Sequence, residues 1–209
     1  WAREVAAMAG LELPLIPTEH QYFVTETIAE IAALDRRLPS VADRDGEYYL
    51  RQEGKGLLVG AYERDMRFWA EDGTPQGFGH ELFPDDLERI EDNMMRAIER
   101  VPAVGEAGIK RVINGPMIWS PDSSALFGPV PEMRGYFCCC GIIPGFSQNG
   151  GRGRLASEWM VEGEPTLDRF GWDMARYGHW AGRDFTKARV ADQYAHRFKI
   201  HFPGEERDA

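Results

Sequence analysis

Glu47-Tyr-Tyr-Leu-Arg-Gln-Glu-Gly-Lys-Gly-Leu-Leu-Val-Gly-Ala-Tyr62 reads as two strand-forming runs, 47–52 and 56–62, joined by the turn residues Glu53-Gly-Lys-Gly56. Aromatic and branched apolar side chains suit a pleated, half-buried surface, and a glycine-rich turn between two such runs predicts a β-hairpin. Asp45-Gly46 supplies another turn ahead of the first run. Neighbouring strand residues point to opposite faces, so at most one of Tyr48 and Tyr49 lines a given pocket.

Working outward, Leu13 to Thr25 is strand-like, and residues 18–25 alternate, with Tyr22 and Val24 on one face and Phe23 on the other. Residues 26–37 carry Ile28, Ile31 and Ala32 at helical spacing and end before Pro39. The stretch 63–83 reads as an irregular surface loop with a short strand around Phe78 and His80. A helix is predicted from Pro84 to Val101: proline suits the first turn, Asp85, Asp86 and Glu88 favour the positive helix end, and Pro102 stops it. Its apolar stripe of Leu87, Ile90, Met94, Ala97, Ile98 and Val101 predicts a core-facing surface.

Further on, 110–119 reads as a strand, 120–129 as a turn-rich connection, and Gly135 to Ile143 as a buried central strand. A glycine-rich strand-to-helix turn follows, Pro144 to Gly153. A helix over 154–162 is expected to turn Leu155, Ala156, Trp159 and Met160 inward and stop at Gly163. One more helical stretch covers 185–197. At the start, Trp1, Val5 and Met8 recur at helical spacing before Gly10 with no capping residue ahead, which reads as the later part of a longer pattern. The expected fold class is α+β, with a mixed, largely antiparallel sheet and flanking helices.

Composition narrows the function. Of 209 residues, 43% are apolar and 11% aromatic, enough for an ordered core of one or two domains. The 34 acidic and 24 basic side chains leave a net charge of -10 and no basic stripe to displace phosphate counterions, which argues against a nucleic-acid partner. No apolar run has the length of a membrane span and no signal peptide is visible, so a cytoplasmic or matrix-type compartment is expected. Cys138, Cys139 and Cys140 are consecutive. Alternation sends neighbours to opposite faces, so the three predict neither a disulfide nor a metal site among themselves.

The turn at 141–153 is the strongest local signal of chemistry. Its glycines would let backbone approach a flat ligand, and the helix beyond would begin with free N–H groups and partial positive charge. Gly150-Gly151-x-Gly153 does not match the dinucleotide fingerprint Gly-x-Gly-x-x-Gly. His20 sits on a strand between Glu19 and Gln21-Tyr22, where a lone histidine is more often a hydrogen-bonded structural residue than a catalyst. No two histidines stand at metal-binding spacing, and neither a nucleophile elbow nor a phosphate-binding loop is present.

At Pro17-Thr-Glu-His-Gln-Tyr-Phe-Val-Thr-Glu26, Tyr48-Tyr-Leu-Arg-Gln-Glu53 with Gly56-Leu-Leu-Val-Gly60, and Asn114-Gly-Pro with Ser120-Pro-Asp122, the chain resembles the dimethylglycine and sarcosine dehydrogenase family. These are FAD-dependent enzymes of the D-amino-acid-oxidase superfamily. Gly141 to Gly153, Ser157-Glu-Trp with Glu162-Gly-Glu-Pro165, and His201-Phe-Pro-Gly-Glu205 extend the likeness over nearly the whole chain. The resemblance implies the end of an FAD-domain helix at 1–11, a substrate-binding domain at 12–112, a return to the FAD-binding domain at 113–165 and an extension at 166–209. It implies FAD against Gly141, Ile143, Gly145, Gly150 and Gly151, and a substrate pocket with His20 and Tyr48, the first tyrosine of the pair.

Relatives oxidise an N-methyl amine by hydride transfer to flavin N5, which requires the neutral amine. A histidine and a tyrosine would tune its protonation and hold it in place. Arg51 and Arg152 are candidates for the substrate carboxylate, with neither assigned. The family's N-terminal Rossmann fingerprint, its FAD-carrying histidine and its folate-binding region have no counterpart in this sequence. FAD is therefore expected to need an upstream segment or a partner chain carrying the Rossmann half, and tetrahydrofolate a further C-terminal region. The first expectation is the substrate-domain portion of an FAD-dependent enzyme acting on dimethylglycine- or sarcosine-like amines. The alternative is a non-catalytic fragment or subunit that binds a partner.

Overall fold

The computed structural model describes residues 1–205. In chain order the elements are α1 (Ala2–Met8), β1 (Ile16–Thr25), α2 (Ala29–Ala32), β2 (Val41–Asp43), β3 (Tyr48–Glu53), β4 (Gly56–Ala61), α3 (Glu91–Arg100), α4 (Ala103–Glu106), β5 (Ile109–Trp119), β6 (Leu126–Pro129), β7 (Phe137–Cys140), α5 (Gly145–Glu162) and α6 (Arg183–Ala195). One sheet has the order β2-β3-β4-β1-β5 and a second consists of β6 and β7. The β2–β3, β3–β4 and β4–β1 pairs are antiparallel, so the α+β class holds.

The chain divides into two compact units: residues 1–18, 68–76 and 117–193, and residues 19–67, 77–116 and the chain from Tyr194. Each unit is built from separate stretches of the chain.

In the second unit the hairpin turns as expected, with Glu53 opposite Gly56 and Tyr49 opposite Gly60. One sheet face, carrying Phe23, Tyr48, Leu50, Leu57, Val59 and Ala61, packs with Ile90, Ala97 and Val104 into a core. Burial of each large apolar side chain there contributes about 1.5–3 kcal/mol. The predicted helix 84–101 is shorter: a 3₁₀ turn covers Leu87–Ile90 before α3. Residues 83–86 bond elsewhere instead. Phe83 N–H donates to the Asn114 carbonyl at 2.8 Å, the Asn114 amide donates to the Pro84 carbonyl at 2.9 Å, and Gln21 bonds both the N–H and the carbonyl of Asp86. The helix expected at 26–37 shrinks to α2 for a similar reason, since Glu26 and Ile28 donate their N–H groups to Gly108 and Lys55. No named strand forms at Phe78 or His80.

In the first unit the structure corrects four expectations. Residues 126–129 form strand β6, not a connection; Gly128 (φ +129°) lies beneath Trp159, where a Cβ would come within 2.5 Å of the indole. Strand β7 is one half of a two-stranded ladder rather than a buried central strand, so Cys138 is buried while Cys139 is exposed. The predicted turn 144–153 is helical: α5 starts at Gly145, and Gly150 and Gly151 lie inside it. Glycine disfavours a helix by about 1 kcal/mol per residue, and the anchoring of Leu155 and Trp159 in the core overrides that preference. Met160, expected inward, is 63% exposed. Gly163 ends the helix in the left-handed conformation, as its position implied.

Candidate active site

The face of the large sheet opposite its core gathers the candidate functional side chains. Side chains alternate along each strand, and the register Tyr22–Gly60–Tyr49 sets His20 and Tyr22 of β1, Gly60 of β4 and Tyr49 of β3 on the same side. Tyr62, two residues beyond Gly60, joins them. Gly60 is required by close approach: the Tyr49 ring lies across it, and an added Cβ would sit 2.2 Å from Tyr49 Cζ. Bare backbone at this one position lets the tyrosine lean toward β1.

The His20 ring is held on both nitrogens. Nε2 lies 3.2 Å from the Tyr49 hydroxyl and Nδ1 lies 2.9 Å from the Tyr194 hydroxyl. Tyr62 packs against the imidazole with ring centroids 4.7 Å apart, and Tyr194 meets it edge-on at 5.9 Å. Tyr194 donates to Glu63 Oε2 at 2.9 Å. The other oxygen of Glu63 pairs with Arg89 Nε at 2.8 Å, and Arg89 Nη1 reaches Glu19 Oε2 at 2.7 Å. Five separate chain segments thus meet in one polar network beneath the site.

Burial sets the protonation states. Desolvation, aided by the positive charge of Arg89, lowers the His20 pKa from 6.5 to about 4, so the imidazole is neutral at physiological pH. The same loss of water raises the pKa values of Tyr49, Tyr62 and Tyr194, keeping all three phenols protonated. Burial also raises the Glu63 pKa, while the Arg89 charge and the Tyr194 hydroxyl oppose the rise. For Arg89, burial works against the charge, but the hydrogen bond to Glu19 and the negative charges of Glu63 and Glu19 outweigh it and raise its pKa.

The structure does not bring Tyr48 to His20. Tyr48 is 2% exposed on the core face, with its hydroxyl bonded to Asp43. Its neighbour Tyr49 takes the place proposed for it, because alternation permits one of the two and the hairpin register selects the second. Tyr49, Tyr194, Glu63 and Arg89 escaped the sequence reading. The register alone points to Tyr49; Tyr194, 174 residues from His20, leaves no local signal.

Of the glycines expected against a cofactor, Gly141 (φ +66°) is explained by packing, since a Cβ there would lie 2.9 Å from Leu15. Ile143 is partly buried in the approach to α5. Gly145, Gly150 and Gly151 differ: an added Cβ would meet nothing within 4 Å, and α5 begins with no side-chain cap. Beside them a cavity of about 410 Å³ is lined by Gln148, Arg152, Leu155, Leu167 and Trp172 among others. Arg152 is buried over the Trp172 ring at 4.8 Å, with its Nε donating to Gln148 at 2.9 Å. Arg51 pairs with Glu53 at 2.6 Å. Among the described residues no group of three or more His, Cys, Asp or Glu is placed to hold a metal ion, and no helix is long and apolar enough to cross a membrane.

Residues 1–159 match the family described as FAD dependent oxidoreductase, and 162–209 match the FAD dependent oxidoreductase central domain. The chain belongs to the FAD-dependent oxidoreductase family. Among curated relatives, this family member is 44% identical over its whole length to mitochondrial dimethylglycine dehydrogenase of Homo sapiens. It is 36% identical over 99% of its length to the mitochondrial sarcosine dehydrogenase of the same organism. It spans only about a quarter of those proteins, 25% and 22% respectively. Its fold is similar to part of that of L-proline dehydrogenase from P. horikoshii, with a TM-score of 0.65 over 84% of this chain and 44% of that one, at 24% identity.

Proposed function

We propose that this chain supplies the amine-handling groups of an FAD-dependent enzyme that oxidises an N-methylated amino acid of the dimethylglycine or sarcosine type. The observation that carries the reading is the neutral Tyr49–His20 pair, held by hydrogen bonds on a sheet face walled by Tyr62. The identity to dimethylglycine and sarcosine dehydrogenases supports it.

The chemistry follows from protonation. An N-methyl amine can lose hydride from carbon only when its nitrogen lone pair is free, so the ammonium form is unreactive. A site of protonated phenols, a neutral imidazole and aromatic faces favours the neutral amine over the ammonium, because the charged form loses hydration there. With a pKa of about 4, His20 is a poor store for a proton at neutral pH. The pair therefore orients the neutral amine by hydrogen bonding, the ammonium proton having been given up to solvent on binding.

The open glycine surface and uncapped start of α5 fit FAD: Gly145, Gly150 and Gly151 offer bare backbone, and the first-turn N–H groups favour partial negative charge on a flat ring. FAD, when bound, supplies the two-electron acceptor. The test is anaerobic mixing of the full natural-length flavoprotein with dimethylglycine or sarcosine while following flavin absorbance. Bleaching is expected, slowed at least tenfold in Tyr49→Phe and His20→Gln variants at pH 7. No bleaching with either amine refutes the function; equal rates in the variants refute the site.

A further inference from the structure

We propose that Tyr194, anchored by Glu63 and Arg89, is a positioning residue that holds His20 in the tautomer protonated on Nδ1, making Nε2 the acceptor for the Tyr49 hydroxyl proton. The argument is a count of protons along one line of contacts. Glu63 is ion-paired with Arg89 at 2.8 Å, so its carboxylate accepts hydrogen bonds and donates none. Tyr194 has a single O–H, and the Glu63 carboxylate 2.9 Å away takes it. Toward His20, 2.9 Å on the other side, the Tyr194 oxygen therefore presents a lone pair. The partner of that lone pair is an N–H, so Nδ1 carries the proton.

A neutral imidazole has one N–H, which leaves Nε2 as a bare acceptor facing Tyr49 at 3.2 Å. The Tyr49 hydroxyl then donates to His20, and its own lone pairs remain for an N–H of a substrate amine. All the bonds run in one direction, Tyr49 to His20 to Tyr194 to Glu63, so each polarises the next. Arg89 closes the line with a fixed positive charge, which keeps the carboxylate an acceptor despite its burial. Among the described residues, the ionisable groups around His20 include Tyr49 and Tyr62 from the hairpin side, Tyr194 from the end of α6, Glu63 and Arg89 behind Tyr194, and Arg197 bonded to Tyr62. Of these, Tyr194 is the contact of Nδ1. The same logic, in which a partner on one ring nitrogen decides what the other can do, governs metal-bound and catalytic histidines generally.

The inference rests on the reading of Tyr49 and His20 as the amine-handling pair, but its test does not need the amine. With five histidines in the sequence, ¹⁵N spectra of imidazole-labelled protein are sparse, and a His20→Gln variant assigns the His20 signals. At pH 7 the expected spectrum has a pyrrole-like Nδ1 and a pyridine-like Nε2. In Tyr194→Phe the lost acceptor should move His20 toward the Nε2-protonated form. Flavin reduction by substrate in the full-length enzyme should then slow about tenfold, the rate equivalent of one lost hydrogen bond. A wild-type His20 protonated on Nε2 overturns the proposal, as does an unchanged tautomer in Tyr194→Phe. Should that variant fail to fold, the wild-type spectrum decides alone. A protein that shows the expected tautomer yet oxidises no methylated amine refutes the function proposed above and leaves the tautomer lock standing.

Discussion

Gly60→Ala is the sharpest probe of how the sheet builds the site. The new Cβ would stand 2.2 Å from Tyr49 Cζ, 2.3 Å from its hydroxyl oxygen and 2.7 Å from Cε1, so the ring must swing away. Swinging breaks the hydrogen bond to His20 Nε2, worth about 0.5–1.5 kcal/mol. It also disrupts ring contacts with His20 and Tyr62, worth about 0.5–1.5 kcal/mol together. The sum, about 1–3 kcal/mol, corresponds to a fall in Tm of roughly 3–9 °C for a chain of this size. Removing the ring first reverses the sign. In a Tyr49→Ala background nothing opposes the methyl group, and alanine in a strand should be neutral or stabilising by about 0.5–1 kcal/mol. The assay is a double-mutant cycle by thermal and urea unfolding, with an expected coupling above about 1 kcal/mol. If Gly60→Ala costs the same in both backgrounds, the close approach of Tyr49 is not what reserves position 60 for glycine.

Three further outcomes follow from the same geometry. Because burial lowers the His20 pKa from 6.5 to about 4, the unfolded chain binds the proton more readily; stability is full above pH 6.5 and falls as pH drops toward 4, by at most about 3 kcal/mol. Urea unfolding at pH 7 and pH 4.5 should show a smaller pH loss in His20→Gln than in the wild type. Arg89→Met leaves the Glu63 carboxylate buried without its cation and should cost about 3–5 kcal/mol, much of it recovered by adding Glu63→Gln, again read by urea unfolding. Gly150→Ala and Gly151→Ala should each raise helix stability by about 0.5–1 kcal/mol, since nothing lies within 4 Å of either new methyl. In the full-length protein the same changes should weaken FAD binding, measured by flavin fluorescence on titration; unchanged affinity removes these glycines from the cofactor surface.

Much of the fold was legible because it depends on short-range rules. Alternation and a glycine turn define β3 and β4, the left-handed Gly163 ends α5, and Pro102 stops α3. The choice between Tyr48 and Tyr49 was within reach of the same rules. With Glu53 opposite Gly56, Tyr48 falls opposite Ala61 on the apolar row of Leu57 and Val59, and Tyr49 falls opposite Gly60. The hairpin register therefore sends the first tyrosine to the core. The early start of α5 was not legible, since glycines at 145, 150, 151 and 153 disfavour a helix locally and the buried side chains that anchor it, Arg152, Leu155 and Trp159, lie further along.

By itself the sequence determined the hairpin and the position of His20 on a strand, because these follow from residue type and spacing over a few neighbours, and its motifs carried the resemblance to the family. What surrounds His20 was decided by tertiary structure alone. Tyr49, Glu63, Arg89 and Tyr194 come from segments up to 174 residues away, and no local periodicity encodes which of them will meet. The physical reason is that a protonation state is a property of an environment: the imidazole of residue 20 has an ordinary pKa in the unfolded chain, and burial in the fold, aided by the Arg89 charge, lowers it to about 4.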